Sequence, residues 1–250
     1  MPQSKQGRGS PKKMQISNEN TRGEQLAYFI GALIEWFRDN GRDLPWRRTR
    51  DPYKILVSEI MLQQTNVDIV IPIYEKFLQK FPNIKTLAHS SIQEIKKITD
   101  DLGYKRRGEY LHEIAKQITY ERNGEFPSSL DELLSLKGIG RYTAGAILSF
   151  AFEKPAAIVD VNVERVLGRI FGLWRWEKNA KFEKEIWKLS ETMIVNRENV
   201  WTINQGILDL GAMICIARKP KCPLCPMIEI CEYYDLEVPK LTPLDSFFSN

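Results

Sequence analysis

Apolar residues recur at three- and four-residue intervals along most of the chain. Leu26, Phe29, Ile30, Leu33 and Phe37 open the pattern. The same period runs through Ser58 to Phe81, Ile92 to Ile98, Arg107 to Tyr120 and Leu130 to Leu136. It continues in Thr143 to Phe152, Val161 to Phe171, Phe182 to Ile194 and Ile203 to Cys215. This spacing builds amphipathic helix faces. No stretch alternates apolar and polar residues as a half-buried strand does. Short punctuators such as "NGRDLP", "NGEFPSS" and "KGIG" separate the periodic runs. The pattern predicts an all-α fold of about ten helices with no internal repeat. Residues 1–23 are polar and basic, with Lys5, Arg8, Lys12, Lys13 and Arg22, and are expected to form a disordered tail. The closing "VPKLTPLDSFFSN" is expected to be extended.

Composition narrows the class. A hydrophobic content of 43% in 250 residues supports one sizeable core or two small ones. No apolar run reaches the length of about 18 residues that suggests a membrane span. The opening "MPQSKQGRGSPKKMQ" lacks the apolar centre of a secretory signal, so the thiols are expected in a reducing compartment. The net charge of +4 is compatible with a nucleic-acid partner without requiring one.

All 4 cysteines fall in one short stretch, Cys215, Cys222, Cys225 and Cys231, in the pattern C-x6-C-x2-C-x5-C. Four thiolates gathered in one loop can hold a tetrahedral zinc or an iron–sulfur cluster. Only one C-x2-C knuckle is present, and the wider flanking gaps suit an object larger than one ion. Arg218, Lys219 and Lys221 interleave the cysteines, which points to a surface that meets phosphate. The pattern resembles the [4Fe–4S] loop of the endonuclease III and MutY superfamily of DNA glycosylases. In that superfamily the cluster is structural or DNA-sensing and is not the seat of the glycosidic chemistry.

Upstream, "LLSLKGIGRYTAGAILSFAF" sets Gly138 and Gly140 between two apolar periodic runs. Taken alone this is an ordinary helix–helix turn, or a turn whose free N–H groups bind phosphate. Beside the cysteine loop it resembles the helix-hairpin-helix of the same superfamily, which implies DNA contact at Gly138, Gly140 and Arg141. Asp160 stands where the N-cap of the next helix belongs. It can be a cap only, or a carboxylate that faces an electron-poor sugar. The resemblance implies that Asp160 stabilises the oxocarbenium ion formed as a base leaves, with Asn162 supporting it by hydrogen bonding. Members that also cut the strand carry a lysine where this chain has Tyr142. A phenol forms no imine, so the resemblance implies a monofunctional enzyme with little or no lyase activity.

The stretch "DLPWRRTRDPYKILVSEIMLQQTNVDIVIPIYEKF" discriminates further. Glu59 is a lone carboxyl among Ile55, Leu56, Ile60, Met61 and Leu62, where burial raises a pKa and favours a general acid. The motifs are similar to those that open MutY-type adenine glycosylases. That similarity implies that Glu59 protonates N7 of adenine. It also implies that Gln64 and Tyr104 wedge the duplex open, and that Arg47, Val67 and Gln205 line the base pocket. Lys105, Arg106 and Arg107 form a basic run for phosphate contact, or else a solvated face. Lys105 replaces a second tyrosine of the MutY pattern. The rival resemblance is to archaeal thymine-mismatch glycosylases, which also carry a tyrosine at the Tyr142 position and stop soon after the cluster. Val161 replaces the glycine of the MutY Asp-Gly-Asn triplet, and the C-terminal domain with which MutY enzymes read 8-oxoguanine is not expected here. Adenine opposite guanine or 8-oxoguanine is the first expectation, and thymine or uracil opposite guanine the second.

In the tail, Leu244, Phe247 and Phe248 have a spacing that resembles the sliding-clamp (PCNA) interaction motif, with Leu241 where glutamine is usual. The organisation expected is a barrel domain at 44–155 carrying the hairpin, and a cluster domain joining 24–43 to 156–235. A monomer acting on double-stranded DNA, cytoplasmic or nuclear, completes the expectation. A non-catalytic iron–sulfur DNA-binding sensor and a zinc-binding interaction module are the rival readings of other classes.

Overall fold

The computed structural model describes residues 21–103, 105–195 and 198–238. Among the described residues there are helices and no strands. In chain order they are α1 (Thr21–Asn40), α2 (Pro52–Leu62), α3 (Val67–Lys80), α4 (Ile84–His89), α5 (Ile92–Thr99) and α6 (Arg107–Lys116). Then follow α7 (Leu130–Leu134), α8 (Arg141–Phe150), α9 (Val161–Ile170), α10 (Ala180–Ile194), α11 (Val200–Met213) and α12 (Glu232–Glu237).

Local chemistry sets several boundaries. Asp51 caps α2 by accepting from the Tyr53 N–H, and Pro52 supplies a first residue that needs no hydrogen-bonded N–H. Ser91 and Glu94 form a reciprocal capping box on α5. Asn179 caps α10. The apolar run Ser58 to Phe81, expected as one helix, is two. Gln64 has φ +57°, which no right-handed helix accepts, and Asn66 then restarts the chain by capping α3. The run after Arg107 leaves α-geometry at Gln117, where a π-helical turn spans Gln117–Glu121. The short α4 was not anticipated; Asn83 caps it, and its apolar side chains Ile84, Leu87 and Ala88 are buried.

The buried apolar side chains form two cores, so the all-α fold has two lobes. One core runs from Leu44 to Ile158 and includes Leu56, Ile60, Phe77, Leu111 and Ile147. The other joins Phe29 and Leu33 of α1 to Val163, Leu167, Ile203 and Leu210 from α9 and α11. The segment 156–159, outside any helix, packs against both. Asn204 on α11 donates to the Ala156 carbonyl at 2.8 Å and to Ser149 Oγ on α8 at 2.9 Å. Ser190 on α10 donates to the Ile158 carbonyl at 3.0 Å. On the α8 side, a Cβ added to Gly145 would lie 2.2 Å from the Ala157 carbonyl oxygen, so only glycine permits this approach.

Gly145→Ala should therefore push 156–159 off α8 and lower stability by about 1–3 kcal/mol, the usual cost of overpacking. Denaturant unfolding measures this, and unchanged stability would mean that the segment is not clamped.

Candidate active site

A cleft of about 520 Å³ opens between the lobes. Glu59 on α2 and Tyr142 on α8 line it from one lobe, and Asp160 and Asn162 at the start of α9 line it from the other. Arg47, Gln64, Val67 and Gln205 border the same space. Residues separated by more than 150 positions in sequence thus share one cavity.

Each carboxyl has a distinct environment. Glu59 is 5% exposed at the end of an apolar helix. Burial, with a smaller push from the charge of Asp160, raises its pKa from 4.5 to about 7. A hydrogen bond with the Tyr142 hydroxyl and the charge of Arg47 oppose the rise. Near neutral pH, Glu59 can therefore donate a proton. Burial first, and the neighbouring charges of Glu59 and Asp160, push the Tyr142 phenol up, so it remains a neutral donor. Asp160 is the N-cap of α9. Its Oδ1 accepts the N–H groups of Asn162 at 2.9 Å and Val163 at 2.7 Å, and its Oδ2 accepts Asn162 Nδ2 at 2.7 Å. A helix N-terminus favours negative charge at this position. Behind it, Arg165 donates to Asn162 Oδ1 at 2.8 Å and to the Cys215 carbonyl at 2.8 Å, linking the cap to the cysteine loop.

Arg47 is fixed from below. Its Nε donates to Gln205 Oε1 at 2.7 Å, and its two terminal nitrogens reach Asp209 at 2.7 and 2.8 Å. Arg42 also binds Asp209, through its backbone N–H at 2.8 Å and Nε at 2.7 Å. Asp209 has no solvent exposure. Burial alone would raise its pKa, but the Arg47 and Arg42 contacts outweigh this and hold it below the usual carboxylate range. The sequence reading missed Asp209. It is an acid among Ile207, Leu208 and Leu210, the same signal that singled out Glu59.

The four cysteines line one recess with Arg169, Tyr233 and Tyr234. Cys215 and Cys231 are buried, and Cys222 and Cys225 partly so. Burial pushes the Cys225 thiol up to about 12 and the Cys231 thiol up to about 11. Among the described residues, no three His, Cys, Asp or Glu side chains are placed to hold a metal ion. The four cysteines are neighbours around one space.

The remaining expected residues are placed as follows. Gly138 adopts φ +91° in the turn before α8, and a Cβ there would meet the Tyr110 ring at 2.8 Å. Gly140 is the N-cap of α8. Arg141 is exposed, stacks on Trp187 at 3.7 Å and pairs with Glu191 at 2.6 Å. Lys105 and Arg106 are exposed, but Arg107, expected in the same basic run, has no exposure. It turns inward because the carbonyl oxygens of Gln63 and Leu102 accept its guanidinium. Gln64 is exposed at the rim of the cleft. Tyr104, Leu244, Phe247 and Phe248 lie outside the described residues.

Comparison with known proteins gives consistent matches. The family model of the HhH-GPD superfamily of base excision DNA repair proteins matches residues 57–192. An adenine DNA glycosylase of Buchnera aphidicola (subsp. Schizaphis graminum) is 41% identical over 207 residues, which cover 82% of this chain and 59% of that protein. A thymine/uracil-DNA glycosylase of Pyrobaculum aerophilum is 35% identical over 217 residues, covering 85% of this chain and 94% of that protein. The solved structure of a thermostable thymine-DNA glycosylase superposes with a TM-score of 0.77 at 34% identity, covering 86% of this chain and 98% of that one. The chain therefore spans less than two thirds of the adenine glycosylase and nearly all of the thymine-acting relatives.

The raised pKa of Glu59 has a thermodynamic consequence. Its folded value lies above its unfolded value, so its stabilising contribution is complete below pH 4.5 and is lost as pH rises through about 7. Glu59→Gln, which never ionises, should therefore gain relative to the wild type between pH 5 and pH 8. The expected gain in urea unfolding is on the order of 1–3 kcal/mol. An identical difference at both pH values would place Glu59 in a solvated setting.

Proposed function

Since the chain belongs to the HhH-GPD superfamily of base excision DNA repair proteins, we propose that it is a DNA glycosylase. It hydrolyses the N-glycosidic bond of a mispaired base turned out of the duplex. One observation carries this reading: Glu59 and Asp160, from opposite lobes, line a single cleft with room for a nucleoside.

The assigned reaction follows from the two environments. Glu59, protonated near neutral pH, gives its proton to N7 of adenine. The C1′–N9 bond breaks with its electron pair on N9, and the purine leaves neutral. Positive charge develops on the sugar, and the Asp160 carboxylate, oriented by the N–H groups of Asn162 and Val163, faces that charge. Water adds to C1′ and gives up a proton to Glu59, by then a carboxylate. Tyr142 offers no amine, so no imine forms with the sugar and the strand is left intact. Arg47, Val67 and Gln205 bound the pocket for the base.

Gln64, with Tyr104, fills the space the base leaves. Gly138, Gly140, Arg141, Lys105 and Arg106 meet the phosphates, with Arg141 first giving up Glu191. Cys215, Cys222, Cys225 and Cys231 would hold a [4Fe–4S] cluster, whose positive iron would ionise the buried thiols. When bound, such a group supplies structure to the loop and electron-transfer chemistry outside the glycosidic step. The spacing of Leu244, Phe247 and Phe248 suits a sliding clamp. Among the described residues no helix is long and apolar enough to cross a membrane. The site of action is the DNA, in cytoplasm or nucleus.

A second reading, removal of thymine or uracil opposite guanine, is favoured by Val161 after Asp160 and by the likeness to thymine-acting relatives. There Glu59 would hydrogen-bond the pyrimidine, which has no N7.

Duplexes carrying A·G, A·8-oxoG, T·G or U·G, treated with alkali after incubation, decide between these. Adenine release from the first two supports the main reading, and release only from the last two supports the second. Asp160→Asn should lower excision by about a thousandfold or more while duplex affinity stays within a few-fold. Binding without base loss from any duplex would contradict both.

A further inference from the structure

We propose that Arg107 is the positioning residue of the wedge, holding Gln64 at the rim of the cleft so that a base can be extruded. This rests on the glycosylase reading above. The guanidinium of Arg107 has no solvent exposure. Among the described residues its acceptors include Gln63 and Thr65 of the α2–α3 loop and Leu102. Its Nη1 donates to the Leu102 carbonyl at 2.7 Å, and its Nη2 donates to the Gln63 carbonyl and to Thr65 Oγ1 at 2.7 Å. Thr65 Oγ1 in turn donates to the Leu102 carbonyl at 3.1 Å. The knot joins the α2–α3 loop to the segment that precedes α6.

Gln64 sits between the two residues that Arg107 grips. Its backbone is left-handed, φ +57°, an uncommon state for a residue with a side chain. Such a conformation persists only where its surroundings over-determine it. Gripping Gln63 and Thr65 supplies that determination while leaving the Gln64 side chain exposed. Leu102, at the other end of the knot, stands two residues before Tyr104 in sequence. One buried cation thus ties the loop that carries Gln64 to Leu102. A lysine cannot reproduce the fork, because one ammonium reaches fewer acceptors and in another geometry.

The role is at extrusion and not at bond cleavage, which the test separates. Arg107→Lys and Thr65→Val would be compared with wild type in single-turnover excision from two full-length duplexes. In one, the target base is mispaired. In the other, it faces an abasic-site analogue, so no pairing has to be broken. A displaced wedge should cost about tenfold or more on the mispaired duplex and about threefold or less on the pre-unpaired one. A 2-aminopurine placed beside the target reports extrusion by fluorescence, and its rise should slow in the same proportion. This arm reads extrusion without bond cleavage, so it decides the role of Arg107 even if no base is released. Thr65→Val keeps the side-chain shape and decides the matter if Arg107→Lys fails to fold. Equal losses on both duplexes, or no slowing of the fluorescence rise in either variant, would overturn the proposal.

Discussion

The cleft depends on one short segment held between two lobes. Residues 156–159 belong to no helix, and such backbone inside a helical protein needs hydrogen-bond partners from elsewhere. Asn204 and Ser190 supply them at the Ala156 and Ile158 carbonyls. Gly145 removes the Cβ that would otherwise keep α8 away from the Ala157 carbonyl. Ile158, with no exposure, anchors the segment in the first core. The next residues deliver Asp160 to the start of α9, across the cleft from Glu59. Moving this segment would move one carboxyl relative to the other without touching either.

Within that frame, electrostatics divides the labour. Glu59 is surrounded by apolar side chains, and burial keeps its proton on near neutrality. Asp160 instead accepts three hydrogen bonds from N–H donors at a helix N-terminus. Two groups of nearly the same intrinsic acidity are thereby suited to opposite tasks, one giving a proton and one facing positive charge. The charge of Arg47 opposes the rise at Glu59 but does not cancel it. Asp209, buried and bonded to both Arg47 and Arg42, fixes the guanidinium of Arg47, and Gln205 accepts its Nε.

The helical class was legible because the three- and four-residue period is strong in nearly every segment, and the capping role of Asp160 could be read from its place before an apolar face. The cysteines were legible as a cluster because their spacing is local, and they do line one recess. What could not be read is non-local or conformational. The break at Gln63–Asn66 hides inside a continuous apolar pattern, because a positive φ at glutamine has no sequence signature. Arg107 looks like one more surface cation until its partners Gln63, Thr65 and Leu102 arrive from other segments. Arg141 likewise reads as a free phosphate contact, whereas Glu191 and Trp187 reach it from α10.

The central claim is that a protonated Glu59 and the cap carboxylate of Asp160 act together on one base. The most direct test is the pH dependence of single-turnover adenine release from an A·G duplex, wild type beside Glu59→Gln. The wild-type rate should be level at acidic pH and fall as pH rises through about 7, where Glu59 loses its proton. The variant should be slow and free of that transition. A wild-type rate that stays flat through neutrality, or one profile shared by both proteins, would contradict the account.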